Sequence, residues 1–223
     1  MCFAPYISLS TFVIEFLLAL FFLLKNPKDK LNRIIALISF LLGVYQLNEF
    51  LICTTSIGLF TKLALATTAI LPALAITHVL ILFRKKIRYY WHALIYAPAV
   101  FFVLMFVLST YLRAPAFCST IFIQYPGLGP LWKFFGLYYL LYLVGAMILF
   151  YIVSLSNKPV HEKRLAYLGV LGIFIFTVPT FIFLIFLPAL KVQFPSVLCE
   201  FALLLAIELI FVLRYKEKHK LRY

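Results

Sequence analysis

Long runs of apolar residues alternate with short polar links along the whole chain, and nowhere does the strict every-second-residue alternation of a lipid-facing barrel strand appear. Seven apolar runs stand out: Ile7–Leu24, Ile34–Cys53, Leu59–Phe83, Trp91–Tyr111, Leu131–Leu155, Leu165–Leu187 and Ser196–Leu213. Each approaches the roughly 20 residues that a helix needs to cross a bilayer. Backbone groups in hydrocarbon must be satisfied within the segment, so the runs are predicted to be helices. The expected architecture is an all-α membrane protein. It is a bundle of seven transmembrane helices forming one domain over residues 1–223, with a short basic tail over 214–223. The opening MCFAPYISL lacks the basic region of a cleavable signal, so the first run is expected to stay as a span.

Charge then orients the bundle. Lys25, Lys28, Lys30 and Arg33 lie between runs 1 and 2, and Arg84, Lys85, Lys86 and Arg88 between runs 3 and 4. Lys158, Lys163 and Arg164 lie between runs 5 and 6, and Arg214, Lys216, Lys218, Lys220 and Arg222 follow run 7. On the opposite side stand Lys62, Arg113, Lys133 and Lys191. Basic residues collect in cytoplasmic loops, so the split predicts an outside N-terminus and a cytoplasmic C-terminus. The composition agrees with a multi-pass protein of the plasma (inner) membrane: 65% of residues are hydrophobic and 12% charged, against about a quarter charged in a soluble domain. The net charge of +13 is absorbed by that loop bias, and nucleic acid is not an expected partner.

Punctuation inside the runs is informative. Pro72, Pro98 and Pro179 fall within runs 3, 4 and 6, where each removes a backbone hydrogen bond. Ala69, Ala73 and Thr77 form a small-residue stripe on run 3, and Gly169 and Gly172 open run 6 to close approach. The longest outer link, Leu112–Pro130, is rich in proline and glycine and reads as a cap over the bundle mouth.

All four cysteines fall on the outer side, and four allow three pairings. Cys53 with Cys118 is the favoured disulfide, since a short link and a flexible loop can bring them together; the alternative is free thiols acting as small hydrophobes. Neither a metal-binding spacing nor a catalytic motif is found, so no metal, no cofactor and no catalytic residue is expected. Run 7 carries no lysine for a retinal Schiff base.

Ionisable groups in a membrane are costly and point to function or to a partner. Counting the helical rise from the inner ends, His78 and Glu208 lie at roughly 8 and 9 Å, and Glu49 and Glu200 at roughly 22 and 21 Å. The candidate ligand site is therefore an outward-opening polar pocket at Glu49 and Glu200, with Gln46 and Asn48 beside it. A His78–Glu208 hydrogen bond beneath it would tie run 3 to run 7. The competing readings are headgroup contact for the two outer carboxylates, and a core histidine satisfied near Thr77 for His78. Glu15 sits near the middle of run 1, where a lipid-side or oligomer contact is the expectation.

Two segments, NRIIALISFLLGVYQLNEFL from Asn32 to Leu51 and LPALAITHVLILF from Leu71 to Phe83, carry a family likeness. With the exit IFVLRYKE from Ile210 to Glu217, they resemble the seven-transmembrane N-terminal sensor region of bacterial and archaeal histidine kinases. The resemblance implies a sensory role and sets apart Asn32, Arg33, Glu49, Pro72 and His78. Tyr45 stands where that family usually has Trp, and KEKHKLRY beyond the last run contains no phosphoacceptor helix or nucleotide-binding domain. The expected function is a non-catalytic sensor of a small ligand or of membrane state. It would signal to a separate kinase or other cytoplasmic partner, with a homo-oligomer as one possible assembly. A proton-coupled transporter using the buried glutamates and an intramembrane lipid-modifying enzyme built on His78 and Glu208 are the rival expectations.

Overall fold

Polar links punctuating apolar runs give the observed element order. The computed structural model describes residues 4–83, 88–109, 116–118, 123–125, 130–186 and 201–221. Among them are seven helices: α1 (Ala4–Lys25), α2 (Lys30–Thr55), α3 (Gly58–Phe83), α4 (Tyr89–Leu108), α5 (Pro130–Leu155), α6 (Val160–Phe186) and α7 (Ala202–Lys218). The first six are long and apolar enough to cross a membrane, which makes this a multi-pass membrane protein. The described part of α7 has 17 residues; residues 196–200 of the expected seventh run lie outside the described residues.

The all-α expectation fits the seven described helices, with one small feature added in a link. The long link between α4 and α5 carries a two-residue antiparallel ribbon, β1 (Phe117–Cys118) with β2 (Ile123–Gln124). Boundaries also shift: α6 starts at Val160 and not Leu165, and α4 ends at Leu108 and not Tyr111.

Neighbouring helices in sequence pack as neighbours in space. Helix α3 is the hub, touching α2, α4, α5 and α6, while α7 closes the ring against α6, α1 and α2. Burial follows this plan: 61% of the most apolar window is buried in α2 and in α3, but 22% in α1 and 17% in α4. The outward leucines and phenylalanines, among them Leu17, Phe101, Leu104 and Leu141, present the face a bilayer requires. Hydrophobic burial drives helix association weakly in lipid, so small residues and interhelical hydrogen bonds matter more. Ala64, Ala69 and Ala73 are fully buried on α3. Tyrosines supply the polar links: Tyr138 Oη donates to Ala69 O at 2.8 Å, Tyr142 Oη to Ile95 O at 3.0 Å, and Thr77 Oγ1 meets Tyr96 Oη at 2.9 Å. Pro72, Pro98 and Pro179 all sit inside their helices.

Candidate functional site

Buried polar residues fall into three groups, one near each end of the bundle and one between them. The first lies beside the ribbon. Cys53, ending α2, is joined by a disulfide to Cys118 of β1, and the Ala116 N–H donates to Thr61 Oγ1 at 3.3 Å. These links hold the α4–α5 connection over the ends of α2 and α3. Beneath it, Tyr45 Oη donates to Glu49 Oε1 at 2.7 Å and lies 2.7 Å from Tyr125 Oη. Glu49 is only 3% exposed, so it does not reach headgroups. Asn48 turns back on its own helix, Nδ2 donating to Val44 O at 2.7 Å, and Gln46 is buried alongside. Glu200, Cys2 and Cys199 lie outside the described residues. The described members of the expected outer pocket, Glu49, Gln46 and Asn48, are therefore buried, with Glu49 bonded to Tyr45 and Asn48 to its own helix.

The second group lies at the basic end, where the sequence suggested only a charged tail. Helix α2 needs an N-cap, and Asp29 provides one: its Oδ1 accepts from Leu31 N at 2.9 Å and from Asn32 N at 3.1 Å. The same oxygen is 2.6 Å from Lys216 Nζ of α7, which also donates to Asn32 Oδ1. Asn32 Nδ2 completes the knot by donating to Phe22 O of α1 at 3.2 Å. Lys216 is 3% exposed, so the stretch after Leu213 is not simply a solvated basic tail: α7 continues to Lys218 and docks there. Burial pulls the Lys216 ammonium below the usual lysine range, and Asp29 pulls it back. Outside the knot, Lys25 pairs with Glu217 at 2.6 Å. Asn32, singled out by family resemblance, thus holds a defined structural position.

The third group is central. His78 on α3 and Glu208 on α7 do share a depth and do line one cavity, bounded by α2, α3, α5, α6 and α7, of about 60 Å³. The expected hydrogen bond between them is absent: neither His78 Nε2 nor Glu208 Oε1 has a hydrogen-bond partner among the described residues. The rise of a helix fixes depth, but rotation about its axis decides whether two side chains meet, and these two line a common space without bonding to each other. Thr77 is no substitute partner, because its hydroxyl is taken by Ala73 O and Tyr96 Oη. The His78 ring instead stands edge-on to Phe150, with centroids 5.1 Å apart.

Glycines make room for this arrangement. A Cβ on Gly172 would come within 2.6 Å of Glu208 Oε2, and one on Gly169 within 2.5 Å of the Phe150 ring. Apolar Ile38, Leu42, Leu71, Leu143, Ile173 and Leu209 complete most of the wall. Tyr139 also lines it, a residue that sequence reasoning passed over because tyrosines abound in the chain. Gly172 was visible only as a close-packing residue, and nothing in the sequence linked it to a carboxylate.

Glu15 departs from its expectation. It is 0% exposed and faces α2, its Cβ lying 3.4 Å from where a Gly43 Cβ would be, so it makes no lipid-side or oligomer contact. Both Glu15 carboxyl oxygens and Ser39 Oγ lack hydrogen-bond partners among the described residues.

The cavity is thus lined by a carboxyl and an imidazole, both buried and each with a polar atom that has no hydrogen-bond partner among the described residues. An unsatisfied buried polar atom costs about 1–3 kcal/mol, which a guest carrying matched groups can recover. No protein-family model, no characterised protein and no solved structure matches the chain.

Proposed function

We propose that the protein is a non-catalytic membrane sensor whose ligand site is the central cavity at His78 and Glu208, rather than an outer pocket at Glu49 and Glu200. The observation that carries this reading is that two residues lining one cavity, His78 and Glu208, each bury a polar atom, Nε2 and Oε1, with no hydrogen-bond partner among the described residues. A ligand satisfying both atoms would favour the arrangement of α3 and α7 that presents them together. Helix α7 is also the helix whose far end is tied through Lys216 to Asp29 and Asn32, so a shift at Glu208 reaches the α1–α2 turn. With the basic end in the cytoplasm, as the lysine and arginine distribution favours, the signal emerges beside Lys25, Arg33, Arg164 and Lys218. That face suits an anionic membrane surface or a separate acidic partner such as a kinase. The resemblance of Asn32–Leu51 and Leu71–Phe83 to the sensor region of histidine kinases supports the same reading.

The test is thermal unfolding of the protein in nanodiscs, titrated with a panel of small amines, alcohols and carboxylates. A saturable stabilisation of the wild type that Glu208→Gln and His78→Phe abolish supports the sensor. No response to any compound overturns it. Net uptake into proteoliposomes, lost in Glu208→Gln, overturns it in favour of a transporter.

A further inference from the structure

We propose that the ligand of the central cavity is a small ammonium-type cation, ammonium or methylammonium. The inference rests on reading the cavity as the ligand site and adds the chemical class of the guest.

Size restricts the guest first. An apolar cavity of about 150 Å³ is what benzene occupies, and this one is about 60 Å³. A space of that size suits a guest of one or two heavy atoms.

Hydrogen-bond capacity comes second. Glu208 Oε1 is an acceptor when the carboxyl is ionised, and His78 Nε2 is one when the ring proton sits on Nδ1. Both residues are more than nine-tenths buried, at 5% and 6% exposure. Two unpartnered acceptors on residues that line one space favour a guest with at least two N–H or O–H donors, which small side-chain rotations would bring into reach.

Charge then selects among donors. The residues lining the cavity include one carboxyl group and no lysine or arginine, so a positive guest would be balanced by Glu208 in its ionised form, for which the lining supplies no other counter-charge. Across the wall, α3 contributes His78, α5 contributes Tyr139 and α7 contributes Glu208 as titratable groups; the lining residues from α2 and α6 are all apolar or glycine. Phe150, Phe176 and Tyr139 add aromatic rings, which attract a desolvated cation. A carboxylate, an imidazole and three rings around so small a space form a cage for an ammonium group. Gly172 is part of the device, since it leaves the space into which Glu208 Oε2 fits.

The experiment uses the full chain in nanodiscs at constant ionic strength and at a fixed pH where the amines are protonated. Thermal unfolding is followed with ammonium, methylammonium, sodium and tetramethylammonium chlorides, and with ethanol as a neutral donor. The expected result is saturable stabilisation by ammonium and methylammonium only. Removing a charged hydrogen bond weakens binding by about tenfold or more, so Glu208→Gln is expected to lose at least that factor. Gly172→Ala keeps every charge but crowds the carboxyl, and should weaken binding as well; circular dichroism of both variants establishes that the helices are intact. Ethanol stabilising as strongly as methylammonium, with dependence on Glu208, sinks the cation and leaves the cavity as the ligand site. A response to pH with none to ammonium assigns the proton alone and also sinks it. No Glu208-dependent response to any probe sinks the cation and the site together.

Discussion

The knot at Asp29, Asn32 and Lys216 and the cavity at His78 and Glu208 bury the same kinds of group to opposite ends. In the knot, Lys216 contacts both Asp29 and Asn32, Asp29 caps α2, and Asn32 reaches Phe22 O of α1. In the cavity, His78 and Glu208 are about equally buried, yet each leaves a polar atom without a hydrogen-bond partner among the described residues. Burying a charge in low dielectric is tolerable when Coulomb attraction and hydrogen bonds offset the lost hydration. The knot meets that condition and therefore fixes geometry: three segments of chain, the end of α1, the start of α2 and the end of α7, are held at one point. The cavity does not meet it, so its polar atoms weaken the fold unless something binds them. The satisfied groups of the knot act as architecture, whereas the unsatisfied pair lining the cavity is what the proposed guest would fill.

The sharpest way to break this contrast is to cut one partner from each. Lys216→Met leaves Asp29 buried beside an apolar side chain, and removing one member of a buried pair costs about 3–5 kcal/mol. A large drop in the thermal unfolding midpoint is expected, and the double variant Asp29→Asn with Lys216→Met should recover part of it. Equal losses in the single and double variants would mean that the knot does not act as a pair.

The opposite sign is expected at the cavity. Glu208→Leu exchanges an unsatisfied carboxyl for an apolar group of similar size, and relieving such a group is worth about 1–3 kcal/mol. Unfolding in the absence of any added ligand should therefore shift upward, while the ammonium response disappears. A downward shift comparable to that of Lys216→Met would place Glu208 among the structural groups and erase the contrast.

The two sites differed in how far the sequence revealed them. The uninterrupted apolar runs predicted the helices, six of which are long and apolar enough to cross a membrane. Helical rise was enough to set His78 and Glu208 at one depth, because 1.5 Å per residue needs no knowledge of neighbours. Azimuth does need it, and so the predicted bond between them became a shared cavity. The knot was hidden because the sequence pattern uses Lys216 only for the side of the membrane it marks and does not single out Asp29 at all. An acidic residue directly before a helix is an N-cap signal, and that signal was present in the sequence. No such rule could link Asp29 to Lys216, far away in the chain. Glu49 illustrates a third case: its depth is legible in the sequence, but its link through Tyr45 to Tyr125 is not, because Tyr125 comes from a proline- and glycine-rich connection whose path no periodicity describes.

The cap offers a smaller effect that sharpens the comparison at its satisfied end. Tyr125→Phe removes the hydroxyl that lies 2.7 Å from Tyr45 Oη, while Glu49 keeps its bond from Tyr45. A net loss of about 0.5–1.5 kcal/mol is expected, read as a modest fall in the unfolding midpoint. A loss as large as that of Lys216→Met would show that the cap, and not the knot, is the dominant polar anchor.

The smallest expected effect belongs to a polar contact next to the knot, where satisfaction depends on pH. His161 at the start of α6 and His219 after α7 stack with ring centroids 3.8 Å apart, and Tyr215 Oη lies 3.1 Å from His161 Nδ1. Partial burial, then the positive charges of His161, Lys218 and Arg164, hold the His219 imidazole below the usual histidine range. A base whose folded pKa is lowered binds protons more readily when unfolded, so it penalises folding at low pH and the penalty fades as pH rises toward about 6.5. Wild-type protein should therefore lose a small amount of stability relative to His219→Gln as pH falls below that value. Salt should blunt the difference, because the contact is close to solvent and its neighbours are screened. A gap between the two proteins that widens as pH rises would reverse the sign and show that His219 is held in place by its charge rather than against it.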